Sequence, residues 1–238
     1  MLRIEHLIKT YSGKPAVDDL SLHIAKGEIC GFIGHNGAGK TTTIKSVCGI
    51  LGFDSGEIYV GGKSIKTEPL ECKRHMAYIP DNPDLYDFLS GIKYLNFVAD
   101  VYGIDATQRQ ERIHSYADMF ELTANLAQSI ATYSHGMKQK LALISAFIHD
   151  PEFIILDEPF VGLDPKAARI VKDLMREKCN AGGAVFFSTH VLEVAEKLCD
   201  KVAIIKSGKL VAYGDMDVVR GDSSLEDVFF ELEADEND

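Results

Sequence analysis

The chain has 238 residues, of which 46% are apolar and 26% charged, and its formal net charge is −11. That length supports one large domain or two small ones with a real core, and no apolar run approaches the roughly 20 residues that a membrane-spanning helix needs. The acidic balance argues against a nucleic-acid grip, which needs a basic stripe. The five cysteines, Cys30, Cys48, Cys72, Cys179 and Cys199, show no C-x-x-C spacing. They read as isolated, buried, reduced thiols. Met1–His6 lacks the apolar stretch of a signal peptide, so the expected place is the cytosol unless a partner holds the chain at a membrane. Glu231 to Asp238 reads as a solvated acidic tail.

In chain order, residues 2–10 and 17–24 alternate as strands, with a turn at Ser12-Gly13-Lys14-Pro15. Glu28–Ile33 is a short buried strand, and a helix starts at Thr41 and runs to Val47. Ser55–Val60 returns as a strand bounded by Gly56 and Gly61-Gly62, and Met76–Ile79 is another, ended by Pro80. From Ser90 to His149 the pattern is helical: Ile92, Leu95, Ala99 and Tyr102 recur at helical spacing, as do Met137, Leu141, Ile144 and Ile148. Strands resume at Phe153–Leu156, Ala184–Ser188 and Val202–Lys206 with helices between them, followed by a strand over 210–213 and a helical tail over 224–232. Alternating strands and helices predict an α/β fold with a mainly parallel sheet covered on both faces. The expected architecture is a mainly parallel α/β core over 1–88 and 150–215, with an N-terminal antiparallel part. An inserted α-helical subdomain occupies 89–149 and a C-terminal tail 216–238.

The chemistry concentrates at three strand ends. Gly34-His35-Asn36-Gly37-Ala38-Gly39-Lys40-Thr41-Thr42 fits G-x-x-x-x-G-K-[ST] between a strand and a helix. Such a loop turns consecutive N–H groups toward a phosphate chain, and the helix adds its positive end. Lys40 then reaches the β- and γ-phosphates and the Thr41 hydroxyl ligates Mg²⁺, so a nucleoside triphosphate is the expected ligand. Phe153-Ile154-Ile155-Leu156 ends in Asp157-Glu158. At the C-terminal end of a buried parallel strand, Asp157 is placed to hold Mg²⁺ through water and Glu158 to deprotonate the attacking water. His190, after the next strand, is placed to reach a γ-phosphate oxygen or that water. Tyr133-Ser134-His135-Gly136-Met137-Lys138-Gln139 opens a helix that Ser134 caps.

Taken together, these residues resemble the ATP-binding subunit of an ABC transporter over about residues 1–230. Gly34–Thr42 matches the Walker A segment, Ile154–Glu158 Walker B, Tyr133–Met137 the signature, Val161-Gly162-Leu163-Asp164 the D-loop, and His190 the switch histidine. Tyr11 stands where the family places an aromatic ring under adenine. Two positions depart from the pattern. His135 and Met137 replace the commonest signature residues, Gly and Gln. Asp81, after Tyr78-Ile79-Pro80, replaces a glutamine that touches Mg²⁺ and senses the membrane partner.

The resemblance implies ATP and Mg²⁺ as cofactors, with Thr41, Asp157 and Asp81 at the metal. It also implies a head-to-tail pair of such domains, homo- or heterodimeric, in which Ser134 and Gly136 of one chain touch the γ-phosphate held by the other. An integral membrane permease would be the second partner, met by the surface around Asp81–Tyr102. There Leu85, Tyr86, Phe88 and Leu89 are expected to form an exposed apolar patch. The 81–89 segment, the Gly-Met-Lys-Gln-Lys run and Ser224–Phe229 resemble the ABC-2 branch, mostly exporters, and place the chain at the inner face of the cell membrane. The alternative is an ABC ATPase that is soluble or regulatory and takes no part in transport. Substrate and direction reside in the membrane subunit.

Overall fold

The fully apolar runs decide the layout. In the computed structural model, which describes residues 1–234, the strands are β1 (Leu2–Tyr11), β2 (Lys14–Ile24), β3 (Ile29–Ile33), β4 (Ser55–Val60), β5 (Lys63–Ser64), β6 (Met76–Ile79), β7 (Phe153–Asp157), β8 (Ala184–Thr189), β9 (Lys201–Lys206) and β10 (Lys209–Asp215). The helices are α1 (Lys40–Val47), α2 (Pro69–Arg74), α3 (Gly91–Val101), α4 (Ala106–Met119), α5 (His135–Phe147), α6 (Pro165–Asn180), α7 (Leu192–Leu198), α8 (Met216–Arg220) and α9 (Leu225–Ala234). Every residue of β3, β7 and β8 is buried. Strands without a polar face belong in a sheet covered on both sides. These lie in the six-stranded sheet of order β10-β9-β3-β8-β7-β6, parallel except for β10. The second sheet, β2-β1-β4-β5, is antiparallel and four-stranded.

Because side chains alternate along a strand, the parallel sheet divides its residues between two cores. Ile29, Ile33, Ile154, Leu156, Val185 and Phe187 face the helical block with Leu95, Leu141, Ile144 and Phe147. Cys30, Phe32, Phe153, Ile155 and Phe186 face α1 and the antiparallel sheet with Leu2, Ile4, Leu7, Ile44 and Val47. The C-terminal ends of β3, β6, β7 and β8 meet at one edge of this sheet, and all the chemistry noted above except the α5 turn and Tyr11 hangs from that edge.

The expected α/β P-loop architecture is the observed one, with local differences. The first turn narrows to Ser12-Gly13, both at positive φ, and Lys14-Pro15 already belongs to β2. The phosphate-loop helix starts at Lys40. The two-residue β5 and one-and-a-half-turn α2 lack the run length that a periodic pattern needs to be read. Between 90 and 149 there are three α-helices and two short 3-10 turns, Thr123–Asn125 and Ile130–Thr132. α4 buries only Ile113 and Ala117 along a largely polar ATQRQERIHSYADM, and its start is set by Asp105, whose carboxylate accepts from Thr107 N and Gln108 N at 3.0 Å. The helical tail spans Leu225–Ala234. Of the acidic tail, residues 235–238 lie outside the described residues. All five cysteines are free and buried.

Candidate nucleotide site

The loop 34–39 joins β3 to α1 and forms one wall of a cavity of about 190 Å³, lined also by Ala16, Lys40, Thr41, Thr42, Asp81, Asp157 and Glu158. Its curl depends on Gly39, at φ 110°, where a Cβ would lie 2.4 Å from the Ala16 carbonyl oxygen. No other residue type fits that approach. Lys40 is 6% exposed. Its ammonium donates to the carbonyl oxygens of Gly34 at 2.6 Å and His35 at 3.3 Å, and lies 3.7 Å from Glu158 Oε1. A cation held inside its own loop, facing a cavity, is poised to exchange those carbonyls for a phosphate oxygen.

Opposite it, Asp157 is 2% exposed. Thr41 Oγ1 donates to Asp157 Oδ2 at 2.8 Å, and Ser188 Oγ donates to Oδ1 at 2.5 Å. Ser188 Oγ also accepts from the Glu158 amide at 3.0 Å. This hydroxyl, on the strand between β3 and β7, holds both acidic residues in register. The motifs do not single it out; its only sequence signal is its place in the Ser188-Thr189 end of an apolar strand. Ala16 is likewise legible only in three dimensions. Glu158 has φ 50°, a left-handed backbone unusual for a side-chain-bearing residue. Its Oε2 lies 2.9 Å from His190 Nδ1, while Oε1 is buried without a hydrogen-bond partner. A buried carboxylate oxygen whose nearest charge, the Lys40 ammonium, stands 3.7 Å away, beyond hydrogen-bond reach, can accept from a ligand or water entering the cavity.

Thus Gly37, Gly39, His35, Asn36, Lys40, Thr41, Thr42, Asp157, Glu158 and Asp81 line one cavity, with Gly34 and Ala38 in the same loop. His190 lies outside this lining and reaches it only through Glu158; it is 56% exposed and with His35 borders a second cavity of about 390 Å³ shared with Phe229 and Phe230. Phe229 meets the His35 ring edge-on at 5.0 Å. Tyr11, Ser134 and Gly136 lie outside the lining. Tyr11 is 49% exposed at the end of β1, with Lys9 Nζ 5.3 Å from its ring centre. Ser134 caps α5, accepting from Met137 N at 3.3 Å.

A glycine-curled anion cradle, a buried lysine and strand-end acids on a parallel sheet define a P-loop nucleoside triphosphatase. Residues 17–161 match the ABC transporter family. The chain is 39% identical over 213 residues to the uncharacterized ABC transporter ATP-binding protein YhcH of Bacillus subtilis, covering 89% of this chain and 68% of that one. It is 33% identical over 237 residues to the ABC-type transporter ATP-binding protein EcsA of the same organism, covering 98% and 96%. A solved structure described as the ATP binding subunit of an ABC transporter superposes with a TM-score of 0.94 at 34% identity, covering 98% of this chain and 99% of that one. The chain belongs to the ABC transporter ATP-binding family: it binds ATP and is an ATPase subunit of a transporter.

Proposed function

We propose that this chain hydrolyses ATP as one member of a head-to-tail pair, and that the pair drives export through a separate membrane subunit. The observation that carries the reading is the position of α5. Ser134 and Gly136, at its N-terminus, lie outside their own chain's cavity, and Ser134 is exposed. A helix N-terminus attracts anions, so this one is free to meet the γ-phosphate of ATP held by a second chain. Closure then requires the γ-phosphate, and hydrolysis releases it.

Within one chain, Gly34 to Gly39 surround the phosphates with backbone N–H groups, Thr42 continues that wall, and Tyr11 carries the adenine. Lys40 leaves its loop carbonyls for the β- and γ-phosphates. Mg²⁺ fits the donor set. Thr41, Asp157 and Asp81 offer only oxygens, which suit a hard cation. Glu158 takes the proton of the attacking water, and His190 orients that carboxylate.

Among the described residues, no helix is long and apolar enough to cross a membrane. The resemblance assigns the transport path to a separate membrane chain, which would hold this one at the inner face of the membrane. Tyr86 (48% exposed) and Phe88 (82%) stand out beside Phe97, whereas Leu85 and Leu89 are partly buried against the core. This aromatic surface on the 89–149 helical subdomain and its approach is our candidate contact with the permease, set apart from the 1–88 and 150–215 core and the 216–238 tail. Export follows from the resemblance to the ABC-2 branch, and no nucleic-acid partner is expected from an acidic chain.

The test is co-purification from gently solubilised membranes of the host. A polytopic membrane protein in near-equal amount supports the assembly. Recovery without one overturns it in favour of a soluble or regulatory ATPase.

A further inference from the structure

The loop after Glu158 runs through Val161-Gly162-Leu163 to Asp164, which caps α6. Asp164 Oδ1 accepts from Ala167 N at 2.8 Å, and Oδ2 pairs with Lys140 Nζ of α5 at 2.7 Å. One turn earlier on α5 the two segments touch again. The His135 ring lies over Gly162, where a Cβ would fall 2.5 Å from His135 Cδ2 and 3.0 Å from Nε2. A Cβ on Gly136 would fall 2.9 Å from the Gly162 carbonyl oxygen. Gly162 has φ 77°, so it is suited to glycine twice over, by backbone and by the ring above it. His135 and Gly162 are both exposed residues, so no core packing forces this contact. The glycine that the family resemblance leads one to expect at position 135 would leave the space vacant.

We propose that His135 is a positioning residue: its ring ties the Ser134–Gly136 turn to the loop that begins at Glu158 in the same chain. The inference rests on the head-to-tail reading. In that arrangement the turn meets the partner's ATP while Glu158 acts on the chain's own, so each chain carries a link between the two nucleotide sites. The ring faces Gly162 of its own chain. It acts by keeping two nucleotide-facing segments at a fixed separation, so its removal changes how one site responds to the other and leaves the first binding event alone.

The experiment compares wild type, His135→Ala and His135→Gln, each also with Gly162→Ala. ATP hydrolysis is followed against ATP concentration, and the affinity of a fluorescent ATP analogue is measured at protein concentrations too low for pairing. Wild type is expected to hydrolyse ATP with a Hill coefficient above one. His135→Ala should keep the analogue affinity, move the Hill coefficient toward one and lower kcat; His135→Gln should restore part of both. Gly162→Ala, whose methyl meets the ring, should harm wild type more than His135→Ala.

Wild-type cooperativity in His135→Ala, additive effects of the two substitutions, or non-cooperative hydrolysis by wild type each overturn the inference. Glu158→Gln separates the two readings. If it forms no ATP-dependent pair, the head-to-tail reading falls. If it pairs while His135→Ala behaves as wild type, only the His135 link falls.

Discussion

Lys138 Nζ donates to both carboxylate oxygens of Asp87, at 2.7 and 3.0 Å. Asp87 stands between the exposed rings of Tyr86 and Phe88, and its carbonyl accepts from Ala131 N at 3.1 Å and Ser129 Oγ at 3.0 Å. The aromatic surface is therefore fastened to the first turn of α5, the helix whose other contacts reach Gly162 and Asp164. With Asp87 54% exposed, the ion pair itself is screened and is worth about 0.2–1 kcal/mol. Asp87→Asn should accordingly leave the melting temperature nearly unchanged while weakening the stimulation of ATPase activity by the membrane partner. Full stimulation of Asp87→Asn in reconstituted vesicles would remove this connection from the coupling route.

Glu158→Gln keeps the shape of the side chain but not its basicity. Nucleotide binding should persist, phosphate release should fall about 10²–10⁴-fold, and ATP should trap a paired species on size exclusion. Turnover at the wild-type rate would show that another group takes the proton.

Lys40→Ala removes the ammonium now shared between the Gly34 and His35 carbonyls and Glu158. A charged hydrogen bond contributes about 1.5–3 kcal/mol, so ATP affinity should drop roughly ten- to a hundredfold by calorimetry. Unchanged affinity would mean that the lysine does not reach the phosphates.

His149 predicts a pH dependence. Its ring stacks on Tyr102 at 3.7 Å between centroids, the planes 11° apart, and burial holds its pKa below the usual 6.5. Below pH 6.5 the unfolded chain takes up a proton at this site before the folded chain does, so stability falls as pH drops through that value and returns as pH rises. The slope from this group is at most about 1.4 kcal/mol per pH unit. Urea melts at pH 7.5, 6.5 and 5.5 should show a smaller loss for His149→Phe, which retains the stack. An identical pH profile in the variant would assign the acid sensitivity elsewhere.

The parallel strands β3, β6, β7, β8 and β9 were legible because each centres on an apolar run too short for anything else. The phosphate loop was legible because its residue types follow from backbone geometry. Residues 106–119 were harder. A helix that buries only Ile113 and Ala117 offers two inward positions, too few to separate its period from that of a polar loop, and Asp105 alone marks its start. At the site, Lys40, Thr41, Asp157 and Glu158 were readable from spacing, whereas Ser188 was not. Its value lies in two hydrogen bonds to residues about 30 positions away, and sequence spacing carries no trace of such a bridge. The contact of His135 with Gly162 is hidden for the same reason, although the unusual histidine in the Tyr133–Met137 run marked where to look.

The backbone of Glu158 adds a different kind of statement. At φ 50°, a residue with a side chain sits in a sparsely populated conformation that costs on the order of 1 kcal/mol, and glycine or asparagine would occupy it more comfortably. Glu158→Asn should then melt above wild type while losing hydrolysis. Selection for thermostability alone would drift away from glutamate at this point of the chain, so an engineered variant chosen only for heat resistance would have to be screened for turnover at every round.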